Sequence, residues 1–212
     1  MSEQVHIEHV GRGAIVKDWL EGSRHPRPGM DRKAPVMTVS LADGSRQTLM
    51  DQGNVRASIL DLIEENANWT PGFGFEQAAD IVFHGMEAAA SFFSALSFPL
   101  RVYRGVRVPA FLGLSDADVL ERSGEHWTPT LEIGKAFASG LHHQAHWRHD
   151  RARPVLIKGY IQRAADVDWK SSGTLYLRWS APTISGPRGP LYREDELRSS
   201  RVRDLSILSS AG

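Results

Sequence analysis

The sequence predicts an α+β fold, and three observations carry the prediction. Two segments between Val55 and Leu96 place apolar residues at helical spacing. Two runs, Leu100 to Val108 and Pro154 to Ile161, are rich in the β-branched and aromatic residues of strands. A tail from Leu197 through Val202, Leu205 and Ile207 again alternates as a strand does.

The first fifty residues open with a possible short helix, Ile15 to Leu20, and a loop at Arg24 to Gly29, where two prolines interrupt regular structure. Val36, Thr38 and Ser40 alternate with Met37, Val39 and Leu41; Asp43-Gly44 supplies a turn, and Gln47 to Met50 return as the second strand of a hairpin. From Val55 the period lengthens. Ile59, Leu62 and Ile63 share one face against Asp61, Glu64 and Glu65, the pattern of an amphipathic helix. Ala78, Ile81, Val82, Met86, Ala89, Phe93 and Leu96 continue the helical spacing until Pro99, and these residues read as core.

The run Leu100, Val102, Val106 and Val108 brackets Arg104 in a strand that also holds Arg101 and Arg107, so one arginine is expected to point inward. Ser115-Asp116-Ala117-Asp118 has capping-box spacing for a short helix ending at Gly124, and Thr130 is the expected N-cap of a helix through Ile133 and Phe137. Leu175 to Trp179 reads as another strand, and Ser185 to Pro190 as a loop leading to Tyr192 and the acidic triplet Glu194, Asp195 and Glu196.

Composition bounds the function classes. With 212 residues, 41% of them hydrophobic and 24% charged, the chain can bury one sizeable core, or one core with a small extension. It has no cysteine, which excludes disulfides, thiolate metal ligands and a cysteine nucleophile. No run approaches a membrane span and the N-terminus lacks signal-peptide patterning, so a cytoplasmic location, or delivery into a host cell, is expected. The formal charge is zero, yet residues 1 to 139 carry 13 basic and 18 acidic side chains and the remainder 12 and 7. That asymmetry suits a phosphate-bearing ligand or equally a scatter of surface arginines, and the balanced total argues against strong nonspecific grip on nucleic acid. His142, His143, His146 and His149 invite a zinc reading, but no carboxylate or cysteine completes a familiar ligand set, and no metal is assigned.

Three blocks, Tyr103-Arg104-Gly105, His126-Trp127-Thr128 ahead of Gly134-Lys135-Ala136-Phe137-Ala138, and Glu194-Asp195-Glu196, occur in an order that resembles the mono-ADP-ribosyltransferases of the arginine, serine, glutamate type. The resemblance spans about residues 98 to 208. It implies a split β-sandwich, with an N-terminal arm and hairpin over 1–54, bracing helices over 55–97 and the motif-bearing core over 98–208. NAD is the implied substrate, without a metal. Two departures stand out: His126 occupies the family's first serine position, leaving open what orients the catalytic glutamate, and Gly134 replaces the usual alanine.

By this resemblance Glu196 is the central catalytic residue, accepting a hydrogen bond from the nicotinamide ribose 2′-hydroxyl and supporting an oxocarbenium-like transition state. Glu194, on the same strand face, would orient the acceptor and take its proton. Arg104 would meet a phosphate or the ribose, or else form an internal ion pair, with Glu196 as candidate partner. Gly105 would let backbone approach the nicotinamide, and Thr128 would orient Glu196. The implied NAD-contacting set adds His126, Trp127, Phe137, Trp147, Arg148 and Arg151, although the size of Trp127 also suits the core. Tyr192 and Arg188 are the implied target contacts. The acceptor is expected to be a protein arginine, with nucleic acid as another possibility. NAD glycohydrolysis and a catalytically silent binding module are the competing readings.

Overall fold

The computed structural model describes residues 33, 35–66, 71–140, 152–180 and 195–208. The arm at 1–32, the histidine-rich stretch with Trp147, Arg148 and Arg151, and the segment holding Arg188, Tyr192 and Glu194 lie outside the described residues. The chain is α+β, with open antiparallel sheets. The described residues fall into two compact units, one within Met1–Leu96 and Trp169–Arg188, the other within Ser97–Asp168 and Gly189–Gly212. The sequence-based division at 54/55 is not the division of these units: the helices expected to brace the motif-bearing core share a unit with the hairpin.

In the first unit, β1 (Pro35–Ser40) pairs antiparallel with β2 (Arg46–Asp51) as the alternation predicted. Gly44 turns the chain at φ 80, where a side chain would be strained, and Asp43 accepts hydrogen bonds from the Ser45 backbone and hydroxyl. β2 runs directly into α1 (Gln52–Asn66), and Asp51 caps the start by accepting from the Asn54 N–H at 2.9 Å. α2 (Phe75–Ser94) buries Ala78, Val82, Met86, Ala89 and Phe93, the spacing read from the sequence. Met37, Val39, Leu49, Met50, Val55 and Ile59 are fully buried with them.

One expectation here is overturned. Leu175 to Trp179 does not form a strand but belongs to α5 (Trp169–Ser180). Trp169, Ser172, Gly173, Tyr176 and Leu177 are buried, which is helical periodicity. Tyr176 stacks on Phe92 at 5.2 Å and tilts against Phe93 at 5.5 Å, while Trp169 meets Phe93 edge-on at 6.0 Å. A Cβ on Gly173 would stand 2.6 Å from the Leu49 carbonyl oxygen, so glycine lets α5 lie directly on β2. Tertiary packing overrides the strand propensity of Leu175, Tyr176 and Leu177.

In the second unit, β3 (Leu100–Pro109), β5 (Ala152–Ile161) and β7 (Val202–Leu208) form an antiparallel sheet in the order β3-β5-β7. α3 (Asp116–Glu121) begins at a capping box in which Ser115 and Asp118 exchange hydrogen bonds. The tail expected to finish one sheet divides. Leu197 enters β6 (Leu197–Arg198), which pairs with β4 (His126–Trp127), and only the residues from Val202 join β7. Two backbone hydrogen bonds between Tyr103 and Thr128, at 2.7 and 2.9 Å, tie β3 to the end of β4.

α4 (Leu131–Ser139) lies on β3 at very short range. A Cβ on Gly105 would stand 2.0 Å from the Gly134 carbonyl oxygen and 2.3 Å from the Ala138 nitrogen. A Cβ on Gly134 would in turn stand 2.9 Å from Tyr103 Cβ. Gly105 and Gly134 therefore form a contact between strand and helix that larger residues would wedge apart, so glycine at 134 is a packing requirement as well as a loss of helix propensity.

Candidate functional site

β3 presents Arg104 and Gly105 beside β4, and the β4–β6 register sets Trp127 opposite Leu197. Trp127 is 2% exposed and Leu197 fully buried, so the residue just before Leu197 has little freedom. That residue is Glu196. Its other neighbour, Asp195, is buried and accepts a hydrogen bond from the Thr130 hydroxyl at 3.2 Å. Thr130 is thus the N-cap of α4 by position, but its hydroxyl ties the helix start to the segment carrying Glu196 instead of capping the helix.

Asp195 adopts φ 42, and neither it nor Glu196 belongs to a strand. The period-two argument that set Glu194 and Glu196 on one face assumed extended backbone at Asp195, which the left-handed conformation removes.

His126 Nδ1 contacts Glu196 Oε1. The His126 carbonyl oxygen accepts a hydrogen bond from Arg104 Nη1 at 2.7 Å. A chain therefore runs from β3 through the first residue of β4 to the glutamate. The orientation of Glu196 expected from Thr128 falls to His126: the Thr128 hydroxyl, 4% exposed as a residue, accepts from the Thr130 N–H at 3.2 Å. The His126 side chain is half exposed and that of Glu196 is 15% exposed, so the carboxylate sits inside the cleft with the imidazole at its mouth.

Among the described residues Arg104 forms no ion pair, and the internal bridge to Glu196 is not made. Burial pulls the Arg104 guanidinium below its ordinary range, and the Glu196 charge opposes that shift at longer distance. Its Nε is buried without an acceptor, as is the indole Nε1 of Trp127. A half-buried guanidinium that the fold itself leaves incompletely satisfied is suited to an anionic ligand.

Arg104, Gly105, His126, Trp127, Thr128, Phe137 and Glu196 line one cleft of about 380 Å³. These are all of the sequence-predicted site residues that fall among the described ones, drawn from three blocks separated by 22 and 70 positions. Gly105 lines the cleft and also admits α4, which brings Phe137 to it, a packing role that the sequence reading did not include.

The sequence reading missed Tyr103, Val106 and Arg107 in the lining, and Asp195 beneath it. The arginine density of β3 was the available signal for Arg107, whose guanidinium lies against Gly140 at the end of α4. Asp195 gave none, since its role depends on a left-handed backbone. Comparison with protein-family models, with curated proteins and with solved structures finds no match to this chain.

Proposed function

We propose that this protein is an NAD-dependent mono-ADP-ribosyltransferase built on a split β-sandwich of that family's type. The observation that supports the reading is the convergence of the three blocks on one cleft. A structural role for each block separately would not require Arg104, His126 and Glu196 to meet.

In this reading the phosphates of NAD approach Arg104, whose buried guanidinium offers a planar fork to an anion. The nicotinamide end lies toward Phe137 and Trp127. The bond between ribose C1′ and the nicotinamide nitrogen breaks, its electron pair leaves on nicotinamide, and positive charge develops on the ribose. Glu196, held by His126, accepts from the 2′-hydroxyl and stabilises that charge. The acceptor's lone pair then closes on C1′ and its proton passes to a base or to water. Arginine as acceptor, expected from the resemblance, rests on Glu194, which lies outside the described residues.

The test is incubation with labelled NAD and a cell lysate, comparing wild type with Glu196→Gln. Free nicotinamide with label on macromolecules, both lost in the variant, is the expected outcome. Nicotinamide without transferred label would replace the transferase by a glycohydrolase. Absence of both, with no rise in melting temperature on adding NAD, would refute the reading.

A further inference from the structure

A second feature of the β3-β5-β7 sheet lies beside the cleft. Arg101 on β3 is the register partner of Tyr160 on β5, and Tyr160 is the partner of Arg203 on β7. Direct partners in antiparallel strands share a face, so one rung across three strands reads cation, aromatic ring, cation. Lys158, two residues from Tyr160, stands on the same face. The Arg101 guanidinium lies 5.7 Å and the Lys158 ammonium 6.0 Å from the Tyr160 ring centre. Arg101 and Arg203 are exposed, and Lys158 and Tyr160 partly so. A bulge between the Lys158 and Tyr160 rungs gives β7 one extra residue, with Asp204 at φ 54, and so keeps Arg203 on the face of the ring.

These cations differ from others in the same unit. Arg153 pairs with Asp116, Arg198 with Glu125, and Arg163 and Arg201 with Asp166. Among the described residues, no ion pair is made by Arg101, Lys158 or Arg203. The side chain of Tyr103, and then that of Tyr160, favours the charged form of Arg101. Two positive charges over one ring, with a third on the same rung, repel one another unless an anion joins them.

We infer that this rung is a binding surface for single-stranded nucleic acid, with phosphates on Arg101, Lys158 and Arg203 and a base stacked on Tyr160. An acidic peptide would use the cations but leave the aromatic ring without a task, whereas a strand of nucleotides offers a phosphate and a ring at every step. The surface leads to the cleft: Tyr103 is the register partner of Lys158, shares the face of Arg101, and lines the cleft. That the bound strand is also the acceptor of ADP-ribose rests on the transferase reading. The binding itself does not.

The experiment measures fluorescence anisotropy of a labelled oligothymidylate of about 12 nucleotides, with the NAD-induced melting shift recorded on the same samples. Three phosphate contacts predict that wild-type affinity falls about twentyfold between about 50 and about 200 mM salt, and the double variant Arg101→Gln, Arg203→Gln should reduce that dependence to about threefold. Tyr160→Leu should weaken binding at least about fivefold at both salts while leaving the salt dependence unchanged. All variants should keep the wild-type melting temperature and NAD shift. No binding at low salt, or identical affinity and salt dependence in the variants, would overturn the inference. So would a labelled oligoglutamate bound more tightly than the oligonucleotide and indifferent to Tyr160→Leu. Oligonucleotide binding that follows these variants, in a protein that ignores NAD, would uphold the surface and remove the transferase reading.

Discussion

Replacing Gly105 by alanine adds one methyl group at the point where β3 and α4 are closest. That methyl would stand 2.0 Å from the Gly134 carbonyl oxygen, 2.3 Å from the Ala138 nitrogen and 2.7 Å from Phe137 Cβ, against 3.4 Å where ordinary contact begins. Two of the three are backbone atoms inside a helix, so no rotamer change relieves them. Either α4 retreats as a body by about 1 Å or β3 bends, and an overpacking cost of about 3 kcal/mol follows.

Gly134→Ala probes the same interface from the other side, where the new methyl meets Tyr103 Cβ at 2.9 Å and the Leu156 Cδ1 methyl at 3.1 Å. The Leu156 methyl can move but Tyr103 Cβ is fixed to the strand, and alanine restores up to about 1 kcal/mol of helix propensity, so the net loss should be about 1 kcal/mol, well below that of Gly105→Ala. Urea unfolding read by far-ultraviolet circular dichroism gives both values, with an unchanged slope confirming that stability alone has moved. Because α4 carries Phe137 into the cleft, Gly105→Ala should also abolish the NAD-induced melting shift, while Gly134→Ala keeps it. Equal stabilities for Gly105→Ala and wild type would refute the close packing of α4 on β3.

The remaining predictions concern the cleft and the first unit. His126→Ala frees Glu196 without touching the bond from Arg104, which ends on a backbone carbonyl, so nicotinamide release should slow about a hundredfold with little change in NAD affinity; single-turnover kinetics beside an NAD melting titration separate the two. Arg104→Met keeps the volume but removes the fork, and should eliminate the NAD melting shift; losing the hydrogen bond to the His126 carbonyl should cost about 1 kcal/mol, partly offset because the Nε is already buried without a partner. Burial by itself raises the Asp51 carboxyl, but the hydrogen bonds from Lys170 and the Asn54 backbone outweigh it and the net shift is downward from 3.8. A depressed folded value means that this stability is present above pH 3.8 and is lost as the pH falls through the lower folded value. Lys170→Met should therefore cost about 1 kcal/mol at neutral pH and flatten the acid loss below that point, as compared by urea midpoints across pH.

The elements that were legible in the sequence are those whose signal is local. The hairpin announced itself by alternation around Asp43-Gly44, and α1 and α2 by one apolar face each, because side-chain direction repeats with backbone period whatever the partner. α5 was misread for the complementary reason. Leu175, Tyr176 and Leu177 suit a strand, and only the aromatic cluster with Phe92 and Phe93, distant in sequence, decides for a helix.

No helix among the described residues is long and apolar enough to cross a membrane. The sequence by itself determined the α+β class, most element positions and the short list of residues that later share the cleft. The tertiary structure alone decided that His126 and not Thr128 holds Glu196, that Asp195 turns left-handed to meet Thr130, and that Gly105 serves helix packing. It also decided that Arg101, Tyr160 and Arg203 make one rung. Each of these depends on strand register and on the approach of backbones far apart in the chain, which no local pattern of side chains encodes.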